Sequence, residues 1–176
     1  MEEKIIQLLT ENSKPRRVHK NTILLHEGEL CRNFVFLKDG ITRHYFTDRK
    51  GNDVTKNFST GPATFMYSIS SFITQEPGIV QCETLSDAEL YEVDYLSFQK
   101  LLKNPEFNTF WNNKLSKFIV KKENKEISLL RDDATTRYQT FLNDFPGLLN
   151  KIPHYYIASY LSISPETLSR IRKSIS

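Results

Sequence analysis

A chain of 176 residues, 39% hydrophobic and 26% charged, is long enough to bury a real core as one large domain or two small ones. It has no run of about 18 apolar residues, which excludes a membrane-spanning helix, and its acidic start, MEEKIIQLLTENSKPRR, does not read as a secretion signal, so a cytoplasmic protein is expected. The net charge of +3 is unevenly spread: residues 1–109 hold 13 Lys+Arg against 15 Asp+Glu, net −2, while residues 110–176 hold 11 against 6, net +5, so a polyanion would meet the rear of the chain.

Residues 1–13 predict a short helix with Ile5, Ile6, Leu8 and Leu9 on one apolar face, and Pro15 follows it. From about 16 to 97 the character changes. The runs NTILLHEG, NFVFLKDG, ITRHYFTDRKGNDVTKNF and VQCETLSDAELYEVDY alternate apolar and polar residues, punctuated by Gly28, Gly40 and Gly51-Asn52. Short strands spaced roughly 8–12 residues apart indicate a sandwich, jelly roll or barrel. The two cysteines, Cys31 and Cys82, are too few for a disulfide framework or a four-cysteine cluster and read as reduced, buried thiols.

From 105 to 131 the pattern is helical. No Gly or Pro stands between Pro105 and Pro146, and Phe107, Trp111, Leu115 and Phe118 recur at spacings of four, four and three. Ile127 and Leu130 continue an apolar face beyond KKENKE. A helix of this length suits packing on the barrel at one end and on a partner helix further along. A helix folded back on its own domain has the same periodicity. The segment RDDATTRYQTFLNDFPG starts afresh: Asp132 or Asp133 can cap it, Tyr138, Phe141 and Leu142 form its apolar face, and Pro146-Gly147 ends it, leaving a hinge near 131–135.

The tail predicts two short helices. Pro153 can open the first, with Ile157, Ala158 and Leu161 on one face. In SPETLSRIRK, Ser164 takes the N-cap, Pro165 the first helical position, and Glu166 and Thr167 the first turn. Leu168 and Ile171 then face inward, and Glu166, Ser169, Arg170 and Lys173 share the outer face. Two helices joined by a turn this short make a helix-turn-helix, whose second helix enters the major groove of DNA. Arg reads guanine O6 and N7, and Glu accepts from cytosine N4. Glu166 and Arg170 are therefore the expected base readers. Thr167, Ser169, Arg172 and Lys173 are expected on phosphates, beside Ser164 and Pro165 at the helix start. A capped surface helix with ordinary charges would carry the same pattern.

At these residues the chain resembles the Crp/Fnr family of bacterial transcription regulators. Glu166, Ser169 and Arg170 fit the family's Glu-x-x-Ser-Arg recognition-helix pattern, and YIASYLSISPETLSRIRK is similar to members from Bacteroidetes-type bacteria. ILLHEGELCRNFVFLKDGITRHYF resembles the opening strands of the family's cyclic-nucleotide-binding-like jelly roll, and AELYEVDYLSFQKLL its closing strand and following helix. The resemblance implies an α+β protein with a β-barrel domain over 1–104, a dimerisation helix over 105–131 and a helix-turn-helix domain over 132–176. It also implies a homodimer joined along the long helix at Phe107, Trp111, Leu115 and Phe118, reading a palindromic double-stranded operator, with RNA polymerase as a further partner to consider. FPGLLNKI leaves little room for the β-wing of many members.

In cyclic-AMP-binding relatives a Gly-Glu pair and an Arg-Ser/Thr pair hold the ribose and phosphate. Those positions align here with Tyr67-Ser68 and Gly78-Ile79, and no Lys or Arg lies between Lys56 and Lys100. A buried phosphate needs cations or several aimed donors, so no cyclic nucleotide or other cofactor is expected in the family's mode. A jelly roll can also be a cupin-type metal enzyme, which commonly places two His two apart on a strand. His19, His26, His44 and His154 offer no such pair, and His26 with Glu27 or Glu29 reads as a turn. No metal site and no catalytic residue is expected. A third reading, an interaction module that no longer binds DNA, runs against the basic rear.

Overall fold

The computed structural model describes residues 2–11, 13 and 15–175, with Glu2 described by its backbone alone. After helix α1 (Glu2–Glu11), eight strands follow: β1 (Pro15–Val18), β2 (Ile23–Leu25), β3 (Asn33–Asp39), β4 (Ile41–Thr47), β5 (Asp53–Thr60), β6 (Ala63–Met66), β7 (Gln81–Thr84) and β8 (Ala88–Asp94), with a six-residue helix α2 (Ile69–Thr74) between β6 and β7. They form two four-stranded sheets, ordered β1-β8-β3-β6 and β2-β7-β4-β5. Strands β3 and β8 pair antiparallel, with Phe34 opposite Val93 and Leu37 opposite Leu90. This is the expected jelly-roll sandwich of a mixed α+β chain. Gly40 makes the tight β3–β4 turn at φ +113, where a Cβ would come within 2.6 Å of the Ala88 Cβ; only glycine fits both the angle and the gap.

Strand β3 reads FVFL rather than alternating, because both of its faces are covered. Val35 and Leu37 are buried, and so are Phe34 and Phe36. Helices α3 (Tyr95–Leu101) and the first part of α4 (Pro105–Arg131) close over Phe34. Its ring lies 5.1 Å from Phe98, 6.1 Å from Phe107 and 5.9 Å from Trp111, the last two edge-on. Such edge-to-face packing adds to the area term. Ile5 and Leu9 of α1 join the same core. Asp94 caps α3 by accepting from the Ser97 N–H at 3.0 Å.

This cluster engages two of the expected dimer contacts within their own chain. Phe107 is fully buried in the core of its own chain, and Trp111 packs edge-on to Phe98 at 5.2 Å. The aromatic start of the seam thus serves the barrel. The apolar residues that α4 leaves open come later: Phe118, Ile119, Val120, Ile127, Leu129 and Leu130, with Leu130 86% exposed.

The chain divides into two compact units. One contains the residues up to Thr47 together with Lys56–Lys114; the other contains Asp48–Thr55 and the chain from Leu115 onward. Helix α4 is continuous through this division, so the long helix is not a separate body. The second unit adds α5 (Ala134–Asp144), a 3-10 turn (Leu148–Asn150), α6 (His154–Tyr160) and α7 (Pro165–Ile175). Asp133 caps α5, accepting from the Thr136 N–H at 2.7 Å. The unit's core is a triangle of Phe141, Phe145 and Tyr160 rings 5.4–5.8 Å apart, extended by Ile157, Leu161, Leu168 and Ile171. The tip of the β4–β5 hairpin belongs here through Ser159, whose hydroxyl accepts from the Thr55 N–H at 2.9 Å and donates to the Asp53 carbonyl at 3.4 Å. Among the described residues no strand follows β8, and the stretch between α5 and α6 holds only the 3-10 turn Leu148–Asn150.

Candidate nucleic-acid interface

Helices α6 and α7 are joined by four residues, and hydrogen bonds fix the joint. Ser162 takes the left-handed conformation at φ 55. The Ile163 N–H reaches the Ala158 carbonyl at 3.0 Å and the Ser162 N–H the Ser159 carbonyl at 3.1 Å. That pair of bonds is the Schellman ending of a helix, usually built around glycine. Helix α7 starts as its sequence predicts. Ser164 accepts from the Thr167 N–H at 3.2 Å, and Pro165 occupies the first helical position. Leu168 and Ile171 are buried, which turns the opposite face of α7 outward.

Five of the eight expected contact residues are exposed on this face or at its start without reservation: Ser164, Pro165, Glu166, Ser169 and Lys173. Arg170 is exposed too, and its Nη2 donates to the Thr167 hydroxyl at 3.3 Å. Thr167 is half-buried and links the Ser164 cap to the Arg170 guanidinium. Arg172 lies to one flank, half-buried, donating to His154 Nδ1 at 2.8 Å at the start of α6. Glu166 is held below the usual carboxylate range, first by its own backbone N–H, then by the Ser164 hydroxyl and the positive charge of Arg170. It therefore offers an ionised acceptor at the positive end of the helix, one turn from a guanidinium on the same side.

The four aligned nucleotide positions lie in the first unit. Tyr67 is buried, its hydroxyl donating to Glu92 and its ring 5.9 Å from Phe65. Ser68 is buried, and its N–H donates to Cys31 Sγ at 3.4 Å. Gly78 packs against α2: a Cβ there would come 3.2 Å from the Ser71 Cβ and 3.3 Å from the Ser68 Oγ. Ile79 is exposed. Ser71 holds the loop, accepting from the Cys31 N–H at 3.0 Å and donating to the Glu76 carbonyl at 2.5 Å. Inside the barrel, His44 is buried between the Tyr67 carbonyl at 3.1 Å and the Ser59 hydroxyl at 3.2 Å. Burial lowers its pKa to about 4, so the ring is neutral, its Nδ1–H donating and its Nε2 accepting. Burial also raises the pKa of both Cys31 and Cys82, which are free thiols.

The sequence reading missed one buried charge. Arg43, 1% exposed, pairs with Glu83 at 2.9 Å and lies 4.1 Å over the Tyr45 ring. In ITRHY it alternates with the inward His44 and looks like an outward-facing residue. Its acid stands 40 residues on, on the paired strand β7, where Arg43 is opposite Glu83 in the register. Of the His26 cluster, the Glu29 carboxylate accepts from the His26 N–H at 2.8 Å, as in a turn. Among the described residues no group of three or more His, Cys, Asp or Glu is placed to hold a metal ion, and no helix is long and apolar enough to cross a membrane.

Residues 15–104, just over half of the chain, match the cyclic nucleotide-binding domain family. No curated protein sequence matches the chain. Among solved structures it is similar to FixK2 from Bradyrhizobium japonicum, with a TM-score of 0.80 at 18% identity over 93% of this chain and 84% of that one. It is similar to CLP, the c-di-GMP responsive global regulator of Xanthomonas campestris, at 0.72 and 17% over 98% and 91%. A transcriptional regulator of the Crp/Fnr family from Eubacterium rectale gives 0.73 and 18% over 96% and 80%. The similarity spans the sandwich, the long helix and the C-terminal helices alike, and so the chain belongs to the cyclic nucleotide-binding domain family and has the fold of the Crp/Fnr transcription regulators.

Proposed function

We propose that this protein is a sequence-specific DNA-binding transcription regulator acting as a homodimer, and not an enzyme. The observation that carries the reading is the outer face of α7. A capped helix with Leu168 and Ile171 buried presents Glu166, Ser169, Arg170 and Lys173 together, on the half of the chain with net charge +5. Glu166 and Arg170 read base edges, and Thr167 orients Arg170 rather than gripping a phosphate itself. Ser164, Pro165, Ser169 and Lys173 lie along the backbone, with Arg172 on the flank. The dimer forms on the later half of α4, where Leu115, Phe118, Ile119, Ile127 and Leu130 need cover. Each such side chain contributes about 1.5–3 kcal/mol when fully buried.

The barrel acts here without cyclic AMP or cyclic GMP held in the family's mode. Tyr67 already spends its hydroxyl on Glu92, Gly78 has no room for a long cation, and Arg43 is paired with Glu83. Calorimetric titration with either nucleotide gives no saturation at physiological concentration on this account, and micromolar binding would refute it. Selecting genomic fragments on the purified protein tests the main reading. A two-fold symmetric sequence with half-sites about one helical turn, roughly 10 bp, apart is expected. Recovery of unrelated fragments with no shared symmetric element would remove the DNA reading.

A further inference from the structure

A groove of about 490 Å³ runs along the second half of α4, between it and α5 and α6, entirely within the second unit. Cavities of roughly 300–1,000 Å³ are the size that takes small organic ligands. Its floor is the buried trio Phe141, Tyr160 and Leu161. Its α4 wall carries Val120 and Leu129, which remain 54% and 40% exposed and so keep apolar surface open to solvent.

The charged groups on the rim are uneven: Lys117, Lys121, Lys125 and Arg137 face a single acid, Asp144. That acid is already engaged by Lys121 Nζ at 3.0 Å. Lys125 lies 3.5 Å over the face of Tyr160. The Arg137 Nε and Nη1 donate to the neutral carbonyls of Leu161 at 3.0 Å and Asp132 at 2.6 Å. Lys117 makes no hydrogen bond or ion pair among the described residues. An apolar slot bordered by four cations and one neutralised carboxylate is complementary to a molecule with an apolar body and one negative head.

The centre of the proposed dimer seam faces away from the groove, while Phe118 and Ile127 lie on the flanks between the two. At 3.6 residues per turn, Lys117, Lys121, Asn124 and Ser128 lie on the side of α4 opposite Leu115, Ile119 and Leu130. A second copy centred on Leu115, Ile119 and Leu130 leaves Lys117, Lys121 and Asn124 open.

We infer that this groove binds an amphipathic organic monocarboxylate, its chain or ring over Phe141, Tyr160 and Leu161 and its head among Lys117, Lys125 and Arg137. Such a ligand touches α4, α5 and α6 together and raises the stability of the second unit by mass action. The site does not depend on the DNA reading, and its test uses no DNA. Full-length protein is titrated calorimetrically with decanoate below its micellar range, with decanol and decylammonium as head-group controls. Saturable binding at one decanoate per chain is expected, at least about tenfold tighter than either control. Lys117→Glu should weaken it about tenfold, and Val120→Trp, at an exposed position that keeps the fold, should abolish it. No saturation, equal binding of decylammonium, or decanoate affinity unchanged in both variants would each overturn the inference; the last would place the anion elsewhere in the chain.

Discussion

Arg170 and Lys173 stand one turn apart on α7, yet their loss should read differently. Arg170 is pre-oriented by the Thr167 hydroxyl, as a bidentate base contact requires, whereas Lys173 is an exposed point charge near the end of the helix. Arg170→Ala is expected to cost about 1–3 kcal/mol on the selected site and to relax the preference at one base pair per half-site. Lys173→Ala should weaken all duplexes alike and reduce the salt slope by about one counterion. Both are measured by titrating selected and random duplexes across a salt series. Equal weakening of both duplexes by Arg170→Ala would make Arg170 a phosphate clamp. His44 supplies a pH test inside the barrel. Its folded pKa of about 4 lies below the ordinary value of 6.5, so the unfolded state binds the extra proton. The stability it protects is complete above about pH 6.5 and is lost as pH falls toward 4, on the order of 3 kcal/mol. Denaturant unfolding of the protein and of His44→Gln at pH 7.5 and 5 should show a drop in the first and a much smaller one in the second.

On the proposed function helix α4 does two jobs along its length. Phe107 is part of the barrel core, so Phe107→Ala should destabilise the chain by about 3–5 kcal/mol. Leu130, exposed in one chain, should cost little in monomer stability when changed to Asp but should dissociate the dimer, seen by sedimentation at tens of micromolar. A dimer unaffected by Leu130→Asp would move the interface off this face. The joint before α7 gives a second element-level test. Ser162 holds a left-handed conformation, so Ser162→Gly should raise the midpoint of thermal unfolding, by a stability gain of about 0.5–1 kcal/mol. Much of this was readable beforehand. Ser164-Pro165, the Leu168/Ile171 spacing and the capping Asp133 are local signals, and local hydrogen bonding decides them. The burial of Phe107 and Trp111 was not readable, because an apolar stripe on a helix looks the same whether it meets a barrel or a second chain. Arg43 was hidden for a similar reason: its partner Glu83 is 40 residues away in sequence and adjacent only through the β4–β7 register.

In the molecule as a whole, a jelly roll whose Tyr67 and Ser68 are buried and whose Gly78 packs against α2 is followed by a helical unit drawn mostly from the half of the chain with net charge +5. On the proposed function a homodimer forms on the later half of α4, and two copies of α7 then require a symmetric site. The central claim is that this protein distinguishes one DNA sequence from others. The most direct measurement is equilibrium binding of the full-length protein to the selected palindromic duplex and to the same duplex scrambled, at about 0.15 M salt. The account predicts two chains per duplex and an affinity ratio of about a thousandfold or more. Equal affinity for the two duplexes, or no binding to either, would contradict it.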